Sequence, residues 1–141
     1  LDGYRRLTSS VSVDIAAGEA ESGRRSFRRL IDEYGLDVIQ PDISRAGGLT
    51  ETRKIATLAH DANVRLVPHA FKTGILLSAS LHLIASLPDT DLVEFSLTES
   101  PLRNDLLLES LQAIGGLVRV PDKPGLGIEV NVEVINRYRA D

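Results

Sequence analysis

The sequence predicts an α/β fold built on a parallel sheet, and two observations support this prediction. Short apolar runs, several of them rich in β-branched residues, alternate with longer segments whose apolar residues recur at helical spacing. The connections between them are short, as in right-handed βαβ units, where consecutive strands lie side by side and run parallel.

The clearest βαβ unit lies in the first half of the chain. Its strand, helix and second strand are predicted at 37–40, 49–62 and 65–67. A proline closes each strand, and the residue after that proline is Asp42 in the first case and His69 in the second. Because the carboxyl ends of parallel strands meet at one edge of a sheet, we expect the carboxylate and the imidazole to face the same mouth.

Further elements are predicted on both sides of this unit. Ser22 is a candidate N-cap for a helix that has its apolar residues on one face and ends at Gly35. Other strands are predicted at 12–17, 92–95 and 117–120, and other helices at 3–10, 75–87 and 133–139. Residues 99–104 are expected to be irregular, and residues 121–127 to form a turn-rich loop.

Composition excludes several classes of protein. The 141 residues are 43% hydrophobic and 26% charged, which indicates one globular domain with a sizeable core. A net charge of −4 argues against a nucleic-acid or membrane-surface partner, and the absence of cysteine excludes a disulfide scaffold and thiolate metal sites. No apolar run reaches the roughly 20 residues that span a bilayer, so we expect a cytoplasmic protein.

The chain is expected to be a piece of a longer protein. It contains no methionine, not even at position 1. Three βα units are too few to close a barrel, and an open sheet of three strands leaves its edges unpaired. We therefore expect either missing strands or another copy of the chain, and hence a homo-oligomer, to cover those edges.

An acidic or imidazole side chain follows each of four successive strand-like runs. The four residues are Glu19, Asp42, His69 and Glu94. Ligands of parallel α/β proteins bind at this end of the strands, so the four in register indicate a shared site. The alternative is a non-catalytic binding or structural module, in which strand-end acids only cap helices and the histidine is structural.

Several motifs resemble one known family. The string IQPDISRAGGLTETRKIA, with AAGE before it and VPHAFKTGI and LVEF after it, resembles the C-terminal part of the enolase superfamily. The closest likeness is to its mandelate racemase/muconate lactonizing enzyme branch, in the histidine–aspartate subgroup. The resemblance covers essentially all of residues 1–141. It implies the last three βα units and the C-terminal return segment of a (β/α)₈ (TIM-type) barrel, without the capping domain and the earlier strands.

The resemblance also implies a reaction. Enzymes of this kind remove the α-proton of a carboxylate substrate, and Mg²⁺ stabilises the enediolate that forms. Acid-sugar dehydratase, racemase and cycloisomerase activities all fit a histidine–aspartate pair. His69 resembles the general base, or the acid that returns a proton, and Asp42 resembles the residue that orients its imidazole. Glu94 resembles the acid that donates a hydrogen bond to a substrate carboxylate oxygen.

Metal binding is expected to be incomplete in this chain. Glu19 resembles the third of three Mg²⁺ ligands, and the strands that carry the other two, like the lysine motif of the opposite face, are not in the sequence. The isolated chain is therefore expected to bind Mg²⁺ poorly and to be inactive. Arg45 and Lys72 lie in loops around the expected mouth and are candidates for contact with a small acidic substrate.

Overall fold

A three-stranded parallel sheet forms the centre of the computed structural model, which describes residues 2–140. Its strands are β1 (Ala16–Ala17), β2 (Val38–Ile39) and β3 (Arg65–Leu66), in the order β1-β2-β3. Ala16 pairs with Val38, and Val38 pairs with Arg65, so consecutive strands are direct neighbours. The predicted parallel α/β architecture is confirmed, although each strand is shorter than the apolar run that predicted it.

Helices connect and flank these strands. Those in the described residues are α1 (Asp2–Thr8), α2 (Gly23–Asp32), α3 (Ile43–Ala46), α4 (Gly48–Asp61), α5 (Gly74–Ala85), α6 (Pro101–Asn104) and α7 (Val132–Tyr138). Between residues 2 and 140, none of them combines the length and the apolarity that crossing a bilayer requires.

The main core lies between the sheet and the helices α2 and α4. Phe27 and Leu30 of α2, and Ile55 and Ala59 of α4, are buried against β2. Burying a large apolar side chain contributes about 1.5–3 kcal/mol, so this layer fixes how the helices sit on the sheet. The helical periodicity of both segments follows from this one-sided burial.

The predicted strand at 92–95 is wrong. No backbone hydrogen bond joins this segment to β3 in the described part of the chain. Val93 and Phe95 instead pack against the cluster of Ala70, Leu77 and Leu81. Their apolar character reflects this side-chain burial, because a strand also requires a ladder of main-chain hydrogen bonds.

Residues 99–104 are more ordered than the sequence predicted. They include the single-turn helix α6, with Ser100 at the N-cap position and Pro101 at the first helical position. Proline suits that position because its missing N–H would have no partner within the helix.

A β-hairpin follows α6, and only one of its strands was predicted. Strand β4 (Ala113–Ile114) pairs antiparallel with β5 (Leu117–Val118). Gly115 and Gly116 form the two-residue turn, with φ of +60° and +80°. Two positive φ angles are the signature of a type I′ hairpin turn, which glycine adopts without a steric cost.

Candidate active site at the carboxyl end of the sheet

Asp42 lies three residues after the end of β2, directly after Pro41, and its side chain is fully buried. It is the N-cap of α3, and its Oδ1 accepts hydrogen bonds from the amide (2.8 Å) and the hydroxyl (2.5 Å) of Ser44. Its Oδ2 lies 3.1 Å from His69 Nδ1 and 3.0 Å from Lys72 Nζ. Both oxygens of this buried carboxylate are therefore satisfied.

The surroundings of Asp42 favour its ionised form. Burial raises the pKa of the Asp42 carboxyl, but hydrogen bonds from Ser44, Lys72 and His69 lower it, and the net result lies below the ordinary value. Donors aimed at a carboxylate stabilise its charge, and here they outweigh the cost of desolvation.

His69 is held in place by the strand ends. Its amide donates to the carbonyl of Pro41 at 3.2 Å, which continues the pairing between β2 and β3 beyond the strands. Its ring is inclined by 21° to that of Phe71, with centroids 6.3 Å apart, and its side chain is 19% exposed. Because the ionised Asp42 can only accept, Nδ1 carries the proton in the neutral form of the ring, and this leaves the lone pair on Nε2.

Glu94 lies on the other side of the imidazole. Its Oε2 is 3.8 Å from His69 Nε2 and accepts a hydrogen bond from the amide of Ala70 at 2.8 Å. About a third of its side chain is exposed, so the carboxylate can also be reached from outside. The structure thus brings together Asp42, His69 and Glu94, although the segment of Glu94 is not a strand.

Lys72 is also part of this group. Its ammonium binds the buried Asp42 and lies 3.2 Å from Ser44 Oγ. Lys72 was predicted as a contact for substrate, and a partner within the chain was not foreseen. Ser44 was missed altogether, although a serine two residues after a candidate N-cap aspartate is typical of an Asx-type turn.

Arg45 and Glu19 stand apart from this group. Arg45 is exposed and makes no side-chain hydrogen bond in residues 2–140. Glu19 is exposed too, and no group of three acidic or histidine side chains in the described chain is arranged so that it could hold a metal ion. The residues of this chain therefore do not by themselves fit a Mg²⁺ ion, and we assign no chemical step to one.

A second histidine–aspartate pair lies at the other end of the sheet. His60 Nδ1 is 2.6 Å from Asp89 Oδ2, and both side chains are about two-thirds exposed. The pair borders a cleft of about 330 Å³ beside Val64 and Arg65, at the amino end of β3. Parallel α/β proteins bind ligands at the carboxyl end, so the pair of Asp42 and His69 is the candidate site.

Known proteins resemble this chain over almost its whole length. Residues 1–134 match the family described as enolase C-terminal domain-like. The chain is 37% identical to the D-galactarolactone cycloisomerase of Agrobacterium fabrum, over 99% of this chain and 39% of that protein. It is also 37% identical to the D-galactonate dehydratase of Variovorax paradoxus, over 94% of this chain and 36% of that protein.

Solved structures show the same likeness. The crystal structure of the 3,6-anhydro-D-galactonate cycloisomerase from Zobellia galactanivorans superimposes with a TM-score of 0.89 at 43% identity, covering 97% of this chain and 39% of that one. The chain thus spans little more than a third of the length of the relatives it matches. It belongs to the enolase superfamily, in the mandelate racemase/muconate lactonizing enzyme family, which confirms the resemblance found in the sequence.

Proposed function

We propose that this chain carries the general base of a lyase or isomerase that removes the α-proton of a sugar-acid carboxylate. The observation that supports the proposal most directly is the hydrogen bond between His69 Nδ1 and Asp42 Oδ2, 3.1 Å long, at the carboxyl ends of neighbouring parallel strands. Sugar-acid dehydratase and cycloisomerase activities are those of the similar proteins.

The orientation of the imidazole determines where the proton goes. Asp42 holds the proton of the ring on Nδ1, so the lone pair of Nε2 accepts the proton from the substrate α-carbon. The electron pair of the broken C–H bond moves onto the substrate carboxylate, which becomes an enediolate. Asp42 remains ionised throughout, and its charge stabilises the imidazolium that forms.

Glu94 is proposed to bind the substrate carboxylate. Its Oε2 already accepts from the Ala70 amide, which leaves Oε1 for a substrate. In its protonated form Glu94 would donate a hydrogen bond from this atom to a substrate carboxylate oxygen, and so stabilise the negative charge that develops there. Arg45 and Lys72 remain proposed contacts for the hydroxyl or acid groups of a small substrate, Lys72 from its place beside Asp42.

The chain is proposed to be part of a (β/α)₈ barrel. Within residues 2–140, β1 and β3 each pair with one neighbour only, and the similar proteins are more than twice as long. Strands outside this chain would complete the barrel and bring further carboxylates beside Glu19 to hold Mg²⁺. Without them the isolated chain is proposed to be inactive, and its strand edges to pair with a second copy.

Exchange of the substrate α-proton with deuterium tests the proposed base. The full-length protein is incubated with D-galactonate in D₂O, and incorporation at the α-carbon is followed by NMR. His69→Asn should abolish exchange, because asparagine cannot accept the proton. His60→Asn is the matched control, since it removes the other histidine of an Asp–His pair, and it should exchange at the wild-type rate.

Two outcomes would overturn the proposal. Exchange by His69→Asn at the wild-type rate would show that another group is the base. The second outcome has two parts. Wild-type protein exchanges the α-proton of neither D-galactonate nor D-galactarolactone, and Mg²⁺ stabilises wild type and Glu19→Gln equally or not at all. The non-catalytic module is then the better description.

A further inference from the structure

A buried arginine in α6 is not accounted for by the proposed chemistry. Arg103 is only 8% exposed, and its three hydrogen-bond acceptors are all main-chain carbonyls, those of Ala70, Phe71 and Ser96. Its guanidinium also lies over the ring of Phe71, 5.6 Å from the centroid. Burying a cation costs several kcal/mol unless its surroundings compensate, so an apolar side chain would fill the same space more cheaply.

The acceptors of Arg103 lie on the two segments that carry the candidate site. Ala70 and Phe71 directly follow His69, and Ser96 lies two residues after Glu94. Nη2 donates to the carbonyl of Ala70 at 3.3 Å and to that of Phe71, while Nη1 donates to Ser96 at 3.3 Å. One planar guanidinium therefore bridges both segments, which a lysine ammonium cannot do with the same geometry.

This bridge matters because the segment after His69 and the segment around Glu94 are not paired by main-chain hydrogen bonds as neighbouring β-strands are. The main-chain pairing between β2 and β3 ends with the bond from His69 to Pro41, and residues 92–96 make no main-chain hydrogen bond with β3 in the described chain. What joins them is the peptide of Ala70. Its N–H donates to Glu94 and its carbonyl accepts from Arg103.

We propose that Arg103 is a positioning residue that sets the placement of Glu94 relative to His69 by bridging the main chain of their two segments. The proposal rests on the proposed function, since it assigns Arg103 a role in the same site. Arg103 touches no reacting atom and acts through the main chain of Ala70, Phe71 and Ser96. Burial lowers the pKa of the Arg103 guanidinium, and the nearby Glu94 acts against this effect.

Hydrogen exchange of single amides tests the bridge without any substrate. In the full-length protein, Arg103→Met should speed exchange of the Ala70 amide about tenfold, because local opening of a buried contact costs less free energy once that contact is weakened. The amide of Val67, bonded to Ile39 within the sheet, should exchange as before. Arg119→Met, at an 87% exposed arginine, is the matched control and should alter neither amide.

A double-mutant cycle tests the link to catalysis. With D-galactonate, Arg103→Met should lower kcat about tenfold while KM changes less, as a misplaced group does. In a Glu94→Gln background, Arg103→Met should lower kcat about twofold or less. A residue that acts through Glu94 has little further effect once the Glu94 carboxyl is replaced. If Arg103→Met fails to fold, Arg103→Lys takes its place, and the changes in Ala70 exchange and in kcat should have the same directions but be smaller.

The results that would overturn the inference differ from those that bear on the proposed function. Unchanged exchange at Ala70, or equal acceleration at Ala70 and Val67, would mean that Arg103 does not position this segment. Additive effects of Arg103→Met and Glu94→Gln on kcat would overturn the link between them. The proposed function fails instead when His69→Asn leaves α-proton exchange intact.

Discussion

Lys72 Nζ lies 3.0 Å from Oδ2 of Asp42, the same oxygen that His69 Nδ1 approaches at 3.1 Å. A buried carboxylate thus binds a lysine and a histidine through one atom, while its other oxygen caps a helix. The Lys72 side chain is 40% exposed, whereas that of Asp42 is fully buried. The pair of Asp42 and His69 is therefore part of a group of four side chains, with Lys72 and Ser44.

Asp42 should make stability depend on pH on the acidic side. Its pKa lies below the ordinary value of 3.8, so its stabilising effect is complete above that pH and is lost as the pH falls through the folded-state pKa. We expect the free energy of unfolding of wild type to fall below about pH 4, and that of Asp42→Asn to fall less. Urea unfolding across this range measures both, with Asp122→Asn at an exposed aspartate as control. Parallel curves for wild type and Asp42→Asn would contradict the prediction.

Lys72→Met should destabilise the protein slightly, and only where Asp42 is ionised. Because the ammonium is partly solvated, we expect a loss below about 1 kcal/mol near neutral pH. The loss should shrink as the pH falls below the ordinary pKa of Asp42, since a protonated carboxyl no longer attracts the ammonium. Lys123→Met, in an exposed pair with Glu129, is the control for losing a surface lysine. A pH-independent loss in Lys72→Met would argue against this ion pair.

Gly74→Ala should disturb the contact between α5 and the segment after α6. A Cβ at Gly74 would lie 2.8 Å from Leu107 Cδ1 and 3.3 Å from the carbonyl oxygen of Arg103. Overpacking of this kind costs typically about 1–3 kcal/mol, which thermal or urea unfolding will show. Gly3→Ala meets no atom within 4 Å and should be neutral or slightly stabilising in its helix. Equal stability of the two variants would mean that Leu107 moves aside freely.

The turn of the β4–β5 hairpin should tolerate asparagine better than alanine. Gly115 has a φ of +60°, a conformation that costs an L-residue about 1–2 kcal/mol unless its side chain suits it. Gly115→Ala should therefore destabilise the hairpin, whereas Gly115→Asn should lose less, because asparagine adopts this region readily. Amide exchange at Leu117 in the two variants provides the comparison. Equal exchange rates would contradict the assigned turn.

The sequence predicted the parts of the site that depend on the strands. The prolines at 41 and 68 mark where two strands end, so the proximity of Asp42 and His69 follows from parallel pairing. The Lys72–Asp42 contact depends on how a loop folds back, and no periodicity encodes that. Arg103 was missed because its segment was taken as irregular, although Ser100 followed by Pro101 is a recognisable helix start.

The strand predicted from the apolar run at 92–95 is absent for a physical reason. Val93 and Phe95 are two residues apart and pack against the same cluster, and this spacing looks the same in sequence whether or not a neighbouring strand is present. The hairpin strand β4 was missed although Gly115–Gly116 between apolar residues is a known signal for a two-residue turn. Its strands contain two residues each, which is too few for alternation to be seen.

The two oxygens of the Asp42 carboxyl group have separate partners. One caps α3 through the Ser44 amide, and the other binds the imidazole of His69. An apolar replacement at position 42 would therefore remove the cap of α3 together with the partner of His69. Asparagine or serine can still cap the helix, so only these residues would separate the two roles. A reshuffled or grafted version of this site would have to carry residues 41–46 together with His69, as one inheritable unit.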